Sequence, residues 1–218
     1  MGAYKAVLFD LDGTLINTLE DLAAASNYAL AAYGYPPRPV GDFKLLAGNG
    51  VAVMLERAMP PEERTPGRVE ELKEKFLEYY SVHYADKTAP YDGVPELLRE
   101  LKDRGYKRAV VTNKVEEMAK VILHKLYPDC FDLIFGQRDG VPTKPDPTLA
   151  HMAMKELGVS PAECVFMGDS GVDIQTAVNS GALPVGVLWG FREEKELLEN
   201  GAKRIISQAD ELLDILAD

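Results

Sequence analysis

Short apolar runs alternate along this chain with amphipathic stretches of helical period. The first run, 6–12, reads Ala-Val-Leu-Phe-Asp-Leu-Asp and ends at Gly13. A continuous apolar run of this length, closed by glycine, is the pattern of a buried parallel strand. Comparable runs recur at 108–112, 132–135, 163–167 and 183–188. Between them the period changes. Over 94–104, Leu97, Leu98 and Leu101 share one helical face, with Pro95 near the start and Gly105 just past the end. A second helix is expected from Asp146, as N-cap ahead of Pro147, to Gly158. Strands alternating with helices from residue 90 onward predict a doubly wound parallel α/β sheet.

Residues 18–85 break this rhythm. Thr18 and Asp21 have the spacing of a helix start, and an Ala-rich helix then runs to about Gly34. A turn segment with Pro36, Pro37, Pro39 and Gly41 follows, then helical stretches near 50–59 and 67–85. The second of these places Leu72, Phe76, Tyr79 and Tyr80 at helical spacing. No strand pattern stands out here. The expected organisation is a Rossmann-like core of 1–16 and 87–218, with an all-helical insert over 17–86.

Composition narrows the class without naming an activity. The chain has 218 residues, 46% hydrophobic and 27% charged, which excludes disordered, collagenous and disulfide-scaffold proteins. Lys and Arg number 24 against 35 Asp and Glu, a formal charge of −11. An acidic surface repels nucleic acid and anionic membrane, so neither is an expected partner. An anionic substrate would need a local positive site. Cys130 and Cys164 lie 34 positions apart with no ligand grouping, and read as reduced packing residues. Residues 1–5 lead into the first run without a signal-peptide pattern, and no apolar run nears the roughly 18 residues of a membrane span. A cytoplasmic location is expected; monomer and homodimer stay equally open.

The candidate chemistry sits at the ends of the strands. Asp10 and Asp12 are two apart and point to one side of an extended segment, where open α/β sheets bind ligands. Gly13 lets the backbone turn tightly there. A second group, Gly168, Asp169 and Asp173, follows the run at 163–167. Each alone could serve as turn or helix-cap chemistry. Together they bring four carboxylates to one sheet edge, which is unfavourable without a cation. Carboxylate oxygens with no His or Cys nearby point to Mg2+. Thr112 and Asn113, ending another run, offer a hydroxyl and an amide to an anion, and Lys144 supplies a positive charge next to Pro145. His83, His124 and His151 are scattered along helices and carry no expected catalysis. No dinucleotide or Walker glycine pattern occurs, so an organic cofactor is not expected.

Phe9-Asp10-Leu11-Asp12-Gly13-Thr14-Leu15, the run ending in Thr112, Lys144-Pro145, and Gly168-Asp169 with Asp173 resemble the four ordered motifs of the haloacid dehalogenase superfamily. The resemblance spans nearly the whole chain. It implies Asp10 as nucleophile, forming an aspartyl-phosphate, and Asp12 as the acid and base. It implies Mg2+ held by Asp10, the carbonyl of Asp12 and Asp169, with Asp173 supporting that shell and Lys144. Backbone N–H groups at Leu11 and Gly13, together with Thr112, Asn113 and Lys144, would bind the phosphate.

Asp12 favours phosphate-ester chemistry over carbon–halogen or carbon–phosphorus cleavage, since an alkoxide leaving group needs a proton. Leu22 stands where the sugar-phosphate mutase branch places a cap histidine, which argues for hydrolysis. Asn17 replaces an aspartate common in the superfamily. The segment 46–59 and the residues around Thr112 are similar to phosphoglycolate phosphatases, which implies a small phosphorylated metabolite, 2-phosphoglycolate foremost. Lys44, Gly48 and Asn49 would then meet the substrate. Pyrophosphatase, sugar-phosphate phosphatase or mutase activity is the alternative, and a non-catalytic phosphate-binding regulatory module is the alternative of another class.

Overall fold

The computed structural model describes residues 3–217; Met1 and Gly2, which begin the stretch ahead of the first strand, and Asp218 lie outside the described residues. In chain order, β1 (Ala6–Phe9) and β2 (Ile16–Asn17) precede α1 (Leu19–Ala32), α2 (Phe43–Leu46), α3 (Val51–Ala58) and α4 (Pro66–His83). Then come β3 (Ala89–Pro90), α5 (Val94–Asp103), β4 (Lys107–Val115), α6 (Glu116–Leu126), β5 (Leu133–Gln137) and α7 (Thr148–Leu157). The chain ends with β6 (Cys164–Gly168), α8 (Gly171–Ser180), β7 (Leu183–Val187), α9 (Glu194–Glu199), β8 (Arg204–Ile206) and α10 (Glu211–Ala217). It divides into two compact units, 17–89 and the remainder.

In the larger unit, six parallel strands run in the order β5-β4-β1-β6-β7-β8. The doubly wound sheet expected from the apolar runs is the one that forms. Strand order reverses at β1, so the crevice beyond the carboxyl ends of β1, β4 and β6 is the natural ligand position. Phe9 pairs in register with Val110 on one side and Met167 on the other. Asp10, Thr112 and Asp169 therefore arrive at nearly the same level, one or two residues past these pairs. Pleating sends Ala6, Leu8, Ala109, Val111, Cys164 and Phe166 into one core layer with Leu149, Ala153 and Met154 of α7. Val94, Leu97, Leu98 and Leu101 of α5 are all buried, the stripe predicted by their spacing. Burying such a side chain contributes about 1.5–3 kcal/mol.

Two expectations shift by local chemistry. α7 begins at Thr148 with Pro147 at its N-cap, one residue later than expected. Asp146 nevertheless serves the helix start, its Oδ1 accepting from Thr148 N–H at 2.9 Å and Thr148 Oγ1 at 2.5 Å. The three-residue strand β8 carried too short a pattern to be read ahead of the fold.

In the helical unit, α1 packs on α4, and α3 packs on α4. Leu22, Ala25, Ala29, Leu30, Phe43, Met54, Leu55, Leu72 and Phe76 are buried. The helix start at Thr18 differs from the expected capping pattern. Thr18 is the N-cap residue but makes no side-chain cap, and its buried hydroxyl has no partner among the described residues. Asp21 is committed elsewhere: its carboxylate accepts from the N–H groups of Lys87 and Thr88 and from Thr88 Oγ1, at 2.7 to 3.1 Å. Asn17 Oδ1 accepts instead from Leu19 N–H at 3.2 Å. Among the described residues, no helix is long and apolar enough to cross a membrane.

Candidate active site

Past β1 the chain folds back in a tight loop, with the Leu11 carbonyl accepting from the N–H groups of Thr14, Leu15 and Ile16. Gly13 N–H donates to the Ile16 carbonyl at 2.9 Å. That bond ties Gly13 into the loop expected to meet the phosphate. The N–H groups of Leu11 and Asp12, by contrast, donate to no acceptor among the described residues. Gly13 is required for another reason: at φ +94°, a Cβ there would lie 2.3 Å from Asp169 Oδ2. Only a glycine lets Asp169 sit against this loop.

Asp169 follows β6 and is fixed on both oxygens. Oδ1 accepts from Thr14 Oγ1 at 3.0 Å and Oδ2 from Phe191 N–H at 2.8 Å. Gly190 closes the same pocket, since a Cβ there would lie 2.3 Å from Asp169 Cβ. Trp189 Nε1–H donates to the Thr14 carbonyl at 3.0 Å, which explains this tryptophan as a brace on the loop. Asp173 enters through the capping box that opens α8: Ser170 Oγ accepts from Asp173 N–H, and Asp173 Oδ2 accepts from Ser170 N–H and Oγ. The other oxygen of Asp173 faces Lys144.

Lys144 Nζ donates to Asp10 Oδ1 at 2.7 Å and to Asp173 Oδ1 at 2.6 Å, with its side chain 1% exposed. Its backbone is gripped by Asn113, whose Oδ1 accepts from Lys144 N–H at 2.8 Å and whose Nδ2 donates to the Lys144 carbonyl at 3.1 Å. The Asn113 side chain is therefore a support for Lys144. Between Val111 and Val115 the register against β5 slips, four residues of β4 spanning two of β5 from Phe135 to Gln137. Thr112, Asn113 and Lys114, which lie in this stretch, are all buried. Thr112 Oγ1 accepts from Lys114 N–H at 3.2 Å, and Lys114 Nζ lies 3.0 and 3.1 Å from the two oxygens of Asp12.

Charge is not balanced in this crevice. Asp12 is matched by Lys114, Asp10 and Asp173 share the ammonium of Lys144, and Asp169 makes no ion pair among the described residues. Burial, then the Asp173 charge, pushes Asp10 up to about 7 against the pull of Lys144. Burial and the charges of Asp173 and Asp10 hold Asp169 well above the usual carboxylate range. Burial works against a charged Lys144, yet the Asp10 and Asp173 carboxylates outweigh it and raise the amine above its ordinary value. Tyr91 is also raised, by burial and by the charges of Asp169 and Asp12. Two uncompensated negative charges, with carboxylate oxygens of Asp10, Asp169 and Asp173 within 4.8 Å of one another, fit a hard divalent cation. Asp10 Oδ2 accepts no hydrogen bond from the described residues.

The sheet edge thus brings together Asp10, Asp12, Thr112, Lys144, Asp169 and Asp173 as the motifs foretold. Lys114, Thr14, Ser170 and the Phe191 N–H were not foreseen as site groups. Thr14 and Ser170 stood inside the quoted motifs and Lys114 directly after Thr112 and Asn113, whereas the Phe191 N–H left no signal. Lys44, Gly48 and Asn49 belong to the helical unit. There Lys44 is exposed on α2, Gly48 has φ +110°, and Asn49 Oδ1 accepts from Arg57 Nη1–H at 3.0 Å. His83 lies 2.8 Å from Asp86 and stacks on Tyr79, a surface arrangement without catalytic geometry.

Comparison with known proteins agrees with this geometry. The family model of haloacid dehalogenase-like hydrolases matches residues 4–181. A phosphoglycolate phosphatase of Pectobacterium atrosepticum is 36% identical over 99% of this chain and 91% of its own. An N-acetylmuramic acid 6-phosphate phosphatase of Pseudomonas aeruginosa is 34% identical over 97% of this chain and 94% of its own. The crystal structure of a predicted phosphoglycolate phosphatase from Haemophilus somnus superposes with a TM-score of 0.90 at 30% identity, over 99% of both chains.

Proposed function

The chain belongs to the haloacid dehalogenase-like hydrolases and is a phosphatase, and we propose that it cleaves a phosphate monoester of a small metabolite through an aspartyl-phosphate on Asp10. The observation that carries this reading is Asp10 itself, one oxygen bound to Lys144 and the other without a hydrogen-bond donor among the described residues. A carboxylate held in this way by an ammonium is fixed in direction while its second oxygen stays available for attack.

In the first step Asp10 Oδ2 bonds to phosphorus as the bond to the ester oxygen breaks, and Asp12 gives its proton to that departing oxygen. The products are an alcohol and the aspartyl-phosphate. In the second step Asp12 takes a proton from water, whose oxygen bonds to phosphorus as the bond to Asp10 breaks, releasing inorganic phosphate and restoring both carboxyl groups. Asp10 and Asp169, with the carbonyl of Asp12, would hold Mg2+, and Asp173 would steady Lys144 beside them. When bound, the cation supplies charge neutralisation for the phosphoryl oxygens. Lys144, the Thr112 hydroxyl and the N–H groups of Leu11 and Asp12 serve as donors to those oxygens.

The preferred substrate is 2-phosphoglycolate, supported by the names of several relatives. A hexosamine 6-phosphate is the second reading, because a relative of similar identity and coverage is named for one. In either case Lys44, Gly48 and the Asn49 amide of the helical unit are the groups proposed to select the organic part. The location is proposed as cytoplasmic.

Phosphate release should be measured from 2-phosphoglycolate, N-acetylmuramic acid 6-phosphate, other sugar phosphates, nucleotides and pyrophosphate, with and without Mg2+, in parallel with Asp10→Asn. Cation-dependent turnover lost in Asp10→Asn supports the mechanism, and the preferred ester names the substrate. Full turnover in Asp10→Asn would overturn the covalent route. Absence of turnover on every ester would favour a phosphate-binding module.

A further inference from the structure

We propose that Lys114 is a positioning residue for Asp12, holding its carboxylate where it can exchange a proton with the ester oxygen. This rests on the reading of Asp12 as acid and base given above. Lys114 Nζ lies 3.0 and 3.1 Å from the two Asp12 oxygens, with the two side chains 5% and 19% exposed. Placing an ammonium there is unfavourable, because it gives up its water and its long stem loses rotamer freedom. Such a pair adds little net stability, so its worth lies in the geometry it imposes.

Three observations make that geometry specific. Lys114 lies where the pairing of β4 with β5 slips, between Val111 and Val115, and its ammonium reaches the Asp12 carboxylate at the end of β1. The Lys114 N–H is tied to Thr112 Oγ1, so its backbone is located by a residue of the same site. Finally, the two buried ammoniums divide the carboxylates between them. Lys144 takes Asp10 and Asp173, and Lys114 takes Asp12. Without Lys114, Asp12 would stand among uncompensated carboxylates and turn away from them. With it, the carboxylate is gripped through both oxygens and keeps one direction.

The test uses two esters of nearly the same shape. p-Nitrophenolate departs from p-nitrophenyl phosphate without needing a proton, whereas phenolate from phenyl phosphate benefits from one. kcat/KM for both is measured in the Mg2+-loaded enzyme and in Asp12→Ala, Lys114→Met, Lys114→Arg and the Asp12→Ala/Lys114→Met double variant. Lys114→Met is expected to lose about 10- to 100-fold on phenyl phosphate and much less on p-nitrophenyl phosphate, as Asp12→Ala does. Lys114→Arg should recover most of the loss, and the double variant should be no worse than Asp12→Ala alone.

Equal losses on both esters, or losses that add to those of Asp12→Ala, would overturn the proposal. If Lys114→Met fails to fold, Lys114→Gln carries the same comparison. An unchanged ester ratio in Asp12→Ala would instead remove the role of Asp12, and the role of Lys114 with it. A changed ratio in Asp12→Ala beside an unchanged one in Lys114→Met would sink the Lys114 assignment alone.

Discussion

Asn113 and Lys144 are joined through both ends of one amide, Lys144 N–H donating to Asn113 Oδ1 at 2.8 Å and Asn113 Nδ2 donating to the Lys144 carbonyl at 3.1 Å. The charged end of that lysine bridges Asp10 and Asp173, so the amide locates the ammonium at the centre of the site. Asn113→Ala leaves a buried N–H and carbonyl without partners, at about 1–3 kcal/mol. Thermal melts should fall by several degrees, and kcat should drop roughly tenfold or more as Lys144 drifts. Wild-type kcat in a destabilised Asn113→Ala would mean that the amide serves the fold alone.

Gly13 is expected to tolerate no side chain. A Cβ would meet Asp169 Oδ2 at 2.3 Å, and the φ of +94° is strained for any other residue. Gly13→Ala should therefore weaken Mg2+ binding by about tenfold or more by displacing Asp169, as titration calorimetry would record. Unaltered Mg2+ affinity would argue against Asp169 as a ligand.

The metal-free protein should lose stability as pH rises through the window set by Asp10. Its carboxyl is pushed from an ordinary 3.8 to about 7, chiefly by burial. The folded state thus binds a proton that the unfolded chain has already released between those values. Stability from this group is full below about 4 and gone above about 7. Melts in a chelator should show that decline, Asp10→Asn should make it shallower while the raised Asp169 keeps part of it, and Mg2+ should reverse it by taking the place of the proton. A metal-free Tm that rises from pH 5 to 8 would contradict this account.

Asp21 should be a stability residue of the helical unit. Its carboxylate accepts from two backbone N–H groups and one hydroxyl at Lys87 and Thr88. Asp21→Ala is expected to cost about 2 kcal/mol or more, detected as faster amide exchange in α1 and at 87–88. Exchange rates equal to wild type would show these bonds to be dispensable.

What the sequence by itself determined follows from local pattern. The apolar runs became β1, β4, β5, β6 and β7, and the leucine stripe became α5, because burial periodicity is a property of neighbouring residues. Asp10, Asp12, Asp169 and Asp173 were legible because each follows a strand, and parallel strands deliver their carboxyl ends to one edge. Other features needed the third dimension. Asp12 and Lys114 are 102 positions apart, and Asn113 and Lys144 are 31 apart. No local period encodes such pairings. The register slip in β4 around Lys114 and the loop bond from Gly13 N–H to the Ile16 carbonyl are also tertiary features. Tertiary packing likewise drew Asp21 away from its helix cap to bind Thr88, because a carboxylate that meets three donors gains more than one that meets a single helix N–H.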